Sequence, residues 1–288
     1  MNSTKSKNKE SFLNFSLKSE LLKSIKELGF NSPTPIQSKV IPHLMSSDQD
    51  LIASAQTGTG KTAAFGLPLL DLTNTKVTNV QTLILCPTRE LCIQITNDLL
   101  SYSKYLKNIN ILSVYGGVKI EKQIKSLKKG PQIVVGTPGR TNDLIRRKKL
   151  IIGNIDRLIL DEADEMLSMG FKEDLEAIIQ QTPKKKQILL FSATMTQKVV
   201  GVTKKYMKNS LEIAVARVNR AADNVEHIYY VVKPRDRYEV VKRIADMNPD
   251  IYGIVFCRTR RETKDIAIKL MNDHYNADTI HGLSLIHI

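Results

Sequence analysis

Short apolar runs that each break off into a polar or glycine-rich turn recur along most of this chain. Residues 50–54 run into Ala55-Gln56-Thr57-Gly58-Thr59-Gly60-Lys61-Thr62, 82–86 into Pro87-Thr88-Arg89-Glu90, and 132–135 into Gly136-Thr137-Pro138-Gly139-Arg140. Residues 157–160 run into Asp161-Glu162-Ala163-Asp164, and 187–191 into Ser192-Ala193-Thr194. Near-continuous apolar strands suit a parallel sheet covered on both faces. Between them lie stretches of helical period, such as 88–102, where Leu91, Ile95, Leu99 and Tyr102 share one stripe. The alternation predicts an α/β fold built from βαβ units around a doubly wound parallel sheet. In such sheets ligands bind beyond the carboxyl ends of the strands. The polar turns all fall on that edge, so segments far apart in the chain can meet there.

The texture changes after Phe191. Residues 192–222 read as mostly helical and polar, with 217–224 as a linker. A second alternation follows, with strands expected over 225–232, 251–256 and 277–280 and helices over 236–247 and 261–275. The pattern stops at His281-Gly282. The expected plan is a disordered basic N-terminus over 1–10, a first domain over 11–216, the linker, and a partial second domain over 225–282.

Length agrees with two units, since 288 residues exceed a comfortable single core. The formal net charge of +14 draws polyanions, which makes nucleic acid or an anionic membrane the partner class to test. The plainer alternative is lysine solvated on exposed helices. No run approaches a membrane span, and no apolar stretch follows the N-terminal lysines as a secretory signal requires. Cys86, Cys92 and Cys257 are odd in number and lack metal-like spacing, so buried thiols in a reducing cytoplasm are expected. His227, His274 and His281 show no ligand spacing either, and nothing implies an oligomer.

Residues 55–62 fit the phosphate-loop pattern with Ala55 in place of the first glycine. Gly58 and Gly60 let backbone N–H groups wrap phosphates, and the following helix N-terminus adds partial positive charge. Lys61 would reach the β- and γ-phosphates, and Thr62 would hold Mg²⁺. The carboxylates of 161–164 end an apolar strand, where they need a compensating charge such as a magnesium nucleotide. Asp161 is the expected metal-side residue, through water, and Glu162 the base for an attacking water. The plainer alternative is an acidic helix start. Ser192 and Thr194 carry meaning only by position, as hydroxyls able to reach Asp164. Pro87-Thr88-Arg89, Gly116-Gly117 and Thr137-Pro138-Gly139-Arg140 read singly as ordinary turns. Gathered on one edge of a basic domain, they predict a groove for a nucleic-acid backbone without base readout.

Together these motifs resemble the DEAD-box family of ATP-dependent RNA helicases, whose name is the tetrapeptide 161–164, and the resemblance runs from Phe12 to Gly282. It implies a RecA-like domain of the P-loop NTPase class followed by an incomplete second RecA-like domain. Gly29-Phe30-Asn31-Ser32-Pro33-Thr34-Pro35-Ile36-Gln37 is similar to the family's Q motif, which implies that Gln37 recognises adenine and that the upstream aromatic, Phe12, stacks on it. The family's chemistry would be ATP- and Mg²⁺-dependent clamping of single-stranded RNA and local opening of short duplexes. After Gly282 the family pattern calls for further strands and an arginine-rich motif. Residues 283–288 instead match a translated sequencing adapter, and are expected to be a non-native tail. The 288-residue chain is therefore expected to bind Mg–ATP weakly and to turn it over barely. Two alternatives stay open: a non-catalytic ATP- and RNA-binding module, and a phosphate-loop ATPase acting on DNA or protein.

Overall fold

Each central strand of the sheet sends alternate side chains into two separate buried layers, which is why its middle residues are apolar. In β1 (Leu51–Ser54) Leu51 and Ala53 join one layer and Ile52 the other. In β6 (Gln187–Ser192) Leu189 and Phe191 oppose Ile188 and Leu190 in the same way. Burying one such side chain contributes about 1.5–3 kcal/mol, far more than strand propensity, so the two layers define the sheet.

The computed structural model describes residues 11–215 and 226–280. The expected N-terminal segment 1–10, the linker 217–224, His281-Gly282 and the tail 283–288 lie outside the described residues. The chain divides into two compact units, Met1–Ala221 and Ala222–Ile288.

In the first unit, α1 (Ser19–Glu27) and α2 (Pro35–Ser46) precede β1, and α3 (Lys61–Leu72), β2 (Thr82–Leu85), α4 (Arg89–Tyr102), β3 (Ile111–Val114) and α5 (Ile120–Leu127) follow it. Next come β4 (Ile133–Gly136), α6 (Pro138–Arg146), β5 (Arg157–Leu160), α7 (Ala163–Ser168) and α8 (Lys172–Gln181). β6 (Gln187–Ser192), α9 (Gln197–Tyr206) and β7 (Leu211–Ala214) complete it. The strands form one seven-stranded parallel sheet in the order β3-β4-β2-β5-β6-β1-β7. This is the RecA-like α/β arrangement. The helix expected over 88–102 appears as α4, capped by the Thr88 hydroxyl accepting from Leu91 N–H, with Cys92, Ile95, Leu99 and Tyr102 buried.

Two strands were not expected from the sequence, β3 and β7. Both lie on the edges of the sheet, and Ser113 and Glu212 break their apolar runs because one flank faces solvent. The reading of 192–222 as mostly helical is corrected accordingly: α9 ends at Tyr206 and β7 follows.

In the second unit α10 (Arg237–Met247) and α11 (Arg260–Asn272) form where helices were expected. Asp273 ties them, accepting from Tyr238 Oη at 2.7 Å and Lys242 Nζ at 3.0 Å. The strands expected over 225–232, 251–256 and 277–280 are corrected: none is present among the described residues. A strand exists only as one side of a ladder, and these segments have no ladder partner. Their apolar side chains stay outside, Phe256 at 92% exposure.

Candidate functional site

The register of the sheet brings the polar turns together. Ser54 of β1 pairs with Ser192 of β6, and the next step of that ladder is Ala55 N–H donating to the Ser192 carbonyl at 3.1 Å. Asp161 N–H likewise donates to Leu85, Cys86 N–H to Gly136, and Thr137 N–H to Val114. Each turn therefore leaves the sheet from a fixed point on its carboxyl edge.

After β1 the chain passes exposed Gln56, Thr57 and Gly58, then half-buried Thr59, whose hydroxyl donates to the Gln56 carbonyl at 2.8 Å. Gly58 and Gly60 have φ of 77° and 89°, the left-handed region where a side chain is strained. Gly60 also has no room, since a Cβ there would lie 2.4 Å from Gln37 Nε2. Gly60→Ala is expected to lower stability by about 1–2 kcal/mol from backbone strain alone. Displacing Gln37 should add to this and weaken nucleotide binding. Thermal melting with and without Mg–ATP checks it.

Gln37 is buried and engaged at both ends of its amide. Its Oε1 accepts from Thr34 N–H at 2.9 Å, closing the capping box of α2, and its Nε2 donates to the Gly60 carbonyl at 3.1 Å. The Q-motif glutamine thus braces the phosphate loop directly. Phe12 is 5% exposed, its ring edge-on to Phe15 at 5.8 Å and tilted against half-buried Phe30 at 6.0 Å. Phe30 is the more accessible of the two rings.

Lys61 opens α3 and is 6% exposed, yet its ammonium makes no hydrogen bond. Its nearest acid is Asp161 Oδ1 at 3.9 Å, itself buried. Burial pushes the Asp161 carboxyl up to about 6, Lys61 pulls it back down, and the neighbouring Glu162 charge raises it again. A buried ammonium and a buried acid left this incompletely satisfied are strongly destabilising, and a triphosphate with a divalent cation would satisfy both. Thr62 stands next on α3, half buried. No cluster of three or more metal-binding side chains occurs among the described residues. A Mg²⁺ here would therefore draw on Asp161, Thr62, phosphates and water, the kind of set this ion uses.

Glu162 follows in the left-handed region at φ 52°, a conformation costing a non-glycine residue about 1–2 kcal/mol. Its N–H donates to Asp161 Oδ1 at 3.1 Å, and no hydrogen bond engages its carboxylate. Asp164 accepts from Thr194 N–H and Thr194 Oγ, both at 2.8 Å, while the Ser192 hydroxyl donates to the Thr194 carbonyl at 2.8 Å. Burial raises the Asp164 carboxyl, but the Thr194 and Ser192 hydroxyls outweigh it and hold the group below its ordinary value. The acidic turn and the end of β6 are thus joined.

The basic turns converge on a neighbouring part of the same edge. Exposed Arg89 lies over the Tyr115 ring at 5.1 Å, and its guanidinium lies 3.4 Å from where a Cβ on Gly117 would be. Gly116 and Gly117 are exposed, with Gly117 at φ 85°. Arg140 behaves differently from the expectation of a free phosphate contact: its guanidinium donates to the Val118 carbonyl and to Gln123 Oε1. Pro87 and Pro138 are buried, Pro138 opening α6, so they shape the turns rather than face solvent. Thr88 caps α4, Thr137 precedes α6 half buried, and Gly139 sits opposite Asp174. Thr34 had no role of its own within the Q motif, and Tyr115 lay outside the expected site residues. Thr34 had a visible signal in its capping spacing to Gln37; Tyr115 had only its place before Gly116-Gly117.

No helix among the described residues is long and apolar enough to cross a membrane. Residues 34–202 match the family model of the DEAD/DEAH box helicase. The chain is 43% identical over 271 residues to the DEAD-box ATP-dependent RNA helicase CshA of Bacillus cereus, covering 94% of this chain and 51% of that protein. It is 44% identical to the ATP-dependent RNA helicase CshA of Listeria monocytogenes, over 94% and 52%. It therefore spans about half the length of the curated relatives it matches. The crystal structure of a DEAD box protein from Methanococcus jannaschii matches with a TM-score of 0.69 at 44% identity, over 94% of this chain and 72% of that one. Fold, motif placement and these matches agree, and the chain belongs to the DEAD/DEAH box helicase family.

Proposed function

We propose that this chain carries the ATP-binding core of an ATP-dependent RNA helicase, an RNA-stimulated ATPase that opens short duplexes locally. The observation that supports this most is the buried Lys61 ammonium, without a hydrogen bond, 3.9 Å from the buried Asp161 carboxyl. When bound, Mg–ATP supplies the phosphoanhydride bond that is cleaved. Lys61 and the backbone N–H groups of 58–61 bind the phosphates. Thr62 and Asp161 would hold the cation, which would neutralise charge on the phosphates. Glu162, with its free carboxylate, accepts a proton from the attacking water. Phe12, Phe30 and Gln37 form the adenine side, where Gln37 has one Oε1 lone pair and one Nε2 hydrogen left to offer. Asp164, through Thr194 and Ser192, carries a change at the acidic turn to β6.

On the same reading, Arg89 and the backbone N–H groups of Gly116 and Gly117 contact the sugar–phosphate backbone of single-stranded RNA. Thr88, Thr137, Gly139 and Arg140 shape that groove. The three free thiols, two of them buried, fit a cytoplasmic protein. Competition between matched RNA and DNA oligonucleotides, with a nonhydrolysable ATP analogue, tests the substrate class. RNA should win. Its affinity should fall by about 300-fold between 50 and 200 mM salt if roughly six phosphates of a single strand are contacted. Equal affinity for DNA would favour the reading as a phosphate-loop ATPase acting on DNA.

A further inference from the structure

α5 buries one residue fully, and that residue is a glutamine. Gln123 is 6% exposed, whereas Ile120, Ile124 and Leu127 of the same helix remain only partly covered. An amide occupies the most enclosed place on a helix only when its polar atoms find partners there. Gln123 Nε2 donates to the Tyr115 carbonyl at 3.1 Å, and its Oε1 accepts from Arg140 Nη1 at 2.9 Å. Arg140 in turn donates through Nη1 and Nη2 to the Val118 carbonyl, at 3.2 Å each. Tyr115 and Val118 are the two ends of the Gly116-Gly117 turn, and no backbone hydrogen bond closes the turn between them. One pair of side chains, Gln123 buried and Arg140 half-buried, therefore grips the turn at both ends. Because Arg89 lies over the Tyr115 ring, the same grip extends to that arginine.

We infer that Gln123 is a positioning residue for nucleic-acid binding. With Arg140, it holds the Gly116-Gly117 turn and Arg89 in the single arrangement that receives a phosphate backbone. Two glycines in sequence have the largest conformational freedom of any pair, and without the brace their N–H groups would be ordered only at the moment of binding, at a cost in affinity. Arg140 serves the groove through the brace instead of touching phosphate. The inference rests on the RNA-binding reading proposed above.

The test uses the 288-residue chain, a fluorescent single-stranded RNA and a fluorescent ATP analogue. Gln123→Leu keeps the volume and removes both hydrogen bonds, whereas Gln123→Glu keeps an acceptor for Arg140. Gln123→Leu is expected to bind RNA about tenfold more weakly, the loss of one or two hydrogen bonds, with a salt slope lower by about one phosphate. Nucleotide affinity should stay within about twofold, because the phosphate loop is untouched. Amide exchange at 115–118 should accelerate, and Gln123→Glu should recover most of the RNA affinity through its charge-assisted bond to Arg140. RNA affinity and amide exchange both equal to the parent chain would overturn the inference. So would RNA and nucleotide affinity falling together with the melting temperature, which is the signature of general unfolding. If the parent chain binds no RNA, the functional reading above fails, and amide exchange at 115–118 alone decides whether Gln123 braces the turn.

Discussion

Lys61→Ala is expected to weaken ATP binding by at least about 100-fold, since a charged donor contributes about 1.5–3 kcal/mol per hydrogen bond and this one serves two phosphates. The ammonium sits at the first position of α3, already buried and without a hydrogen bond, so little reorganisation precedes its contact with phosphate. Removing it also takes away the charge that draws the Asp161 carboxyl down. That carboxyl would then lie further above its present value of about 6 and carry its proton nearer neutral pH. Protonation relieves the buried charge, so the variant should stay folded. Titration with a fluorescent ATP analogue, alongside circular dichroism, reads both effects. A folded variant that binds the analogue as tightly as the parent removes Lys61 from the site.

In a version extended to the full length of its relatives, Glu162→Gln should lower ATP turnover by about 10²–10⁴-fold while leaving ATP and RNA affinity in place, the usual contribution of a positioned base. The two side chains have the same shape, and the left-handed backbone at this position strains both equally. Affinity is preserved because the side chain makes no hydrogen bond that holds the loop. The measurement compares steady-state phosphate release with RNA and nucleotide binding for the same preparation. Turnover unaffected by the change would show that another group activates the water. A parent chain that binds both ligands and releases no phosphate would instead support the non-catalytic binding module.

The central strands were legible because burial on both faces leaves no polar position to confuse the pattern, as in 188–191 and 158–160. The edge strands were not. β7 buries one residue of four, so its sequence resembles a surface loop or helix. In the second unit the apolar period was read correctly as helices, but strand-like composition alone does not make a ladder, as exposed Tyr229 and Tyr252 show. The phosphate loop and acidic turn were legible for a different reason: their chemistry is written in contiguous residues. What spacing could not reveal was which side chains serve each other. Gln37 supports Gly60 across 23 positions, and Arg140 turns inward to Val118 and Gln123. Such partnerships depend on where distant turns leave the sheet, which no local pattern records.

The strand that carries the phosphate loop is flanked by β6 and β7, both contributed from far downstream. During synthesis β1 emerges early yet has neither neighbour until residues beyond Gln187 have been made. Loop closure on that scale is slow and must precede any reward from pairing. The loop of 55–62 is therefore no transplantable cassette: its geometry is a late product of nearly the whole first unit, and a nascent chain cannot grip its nucleotide until that unit is almost finished.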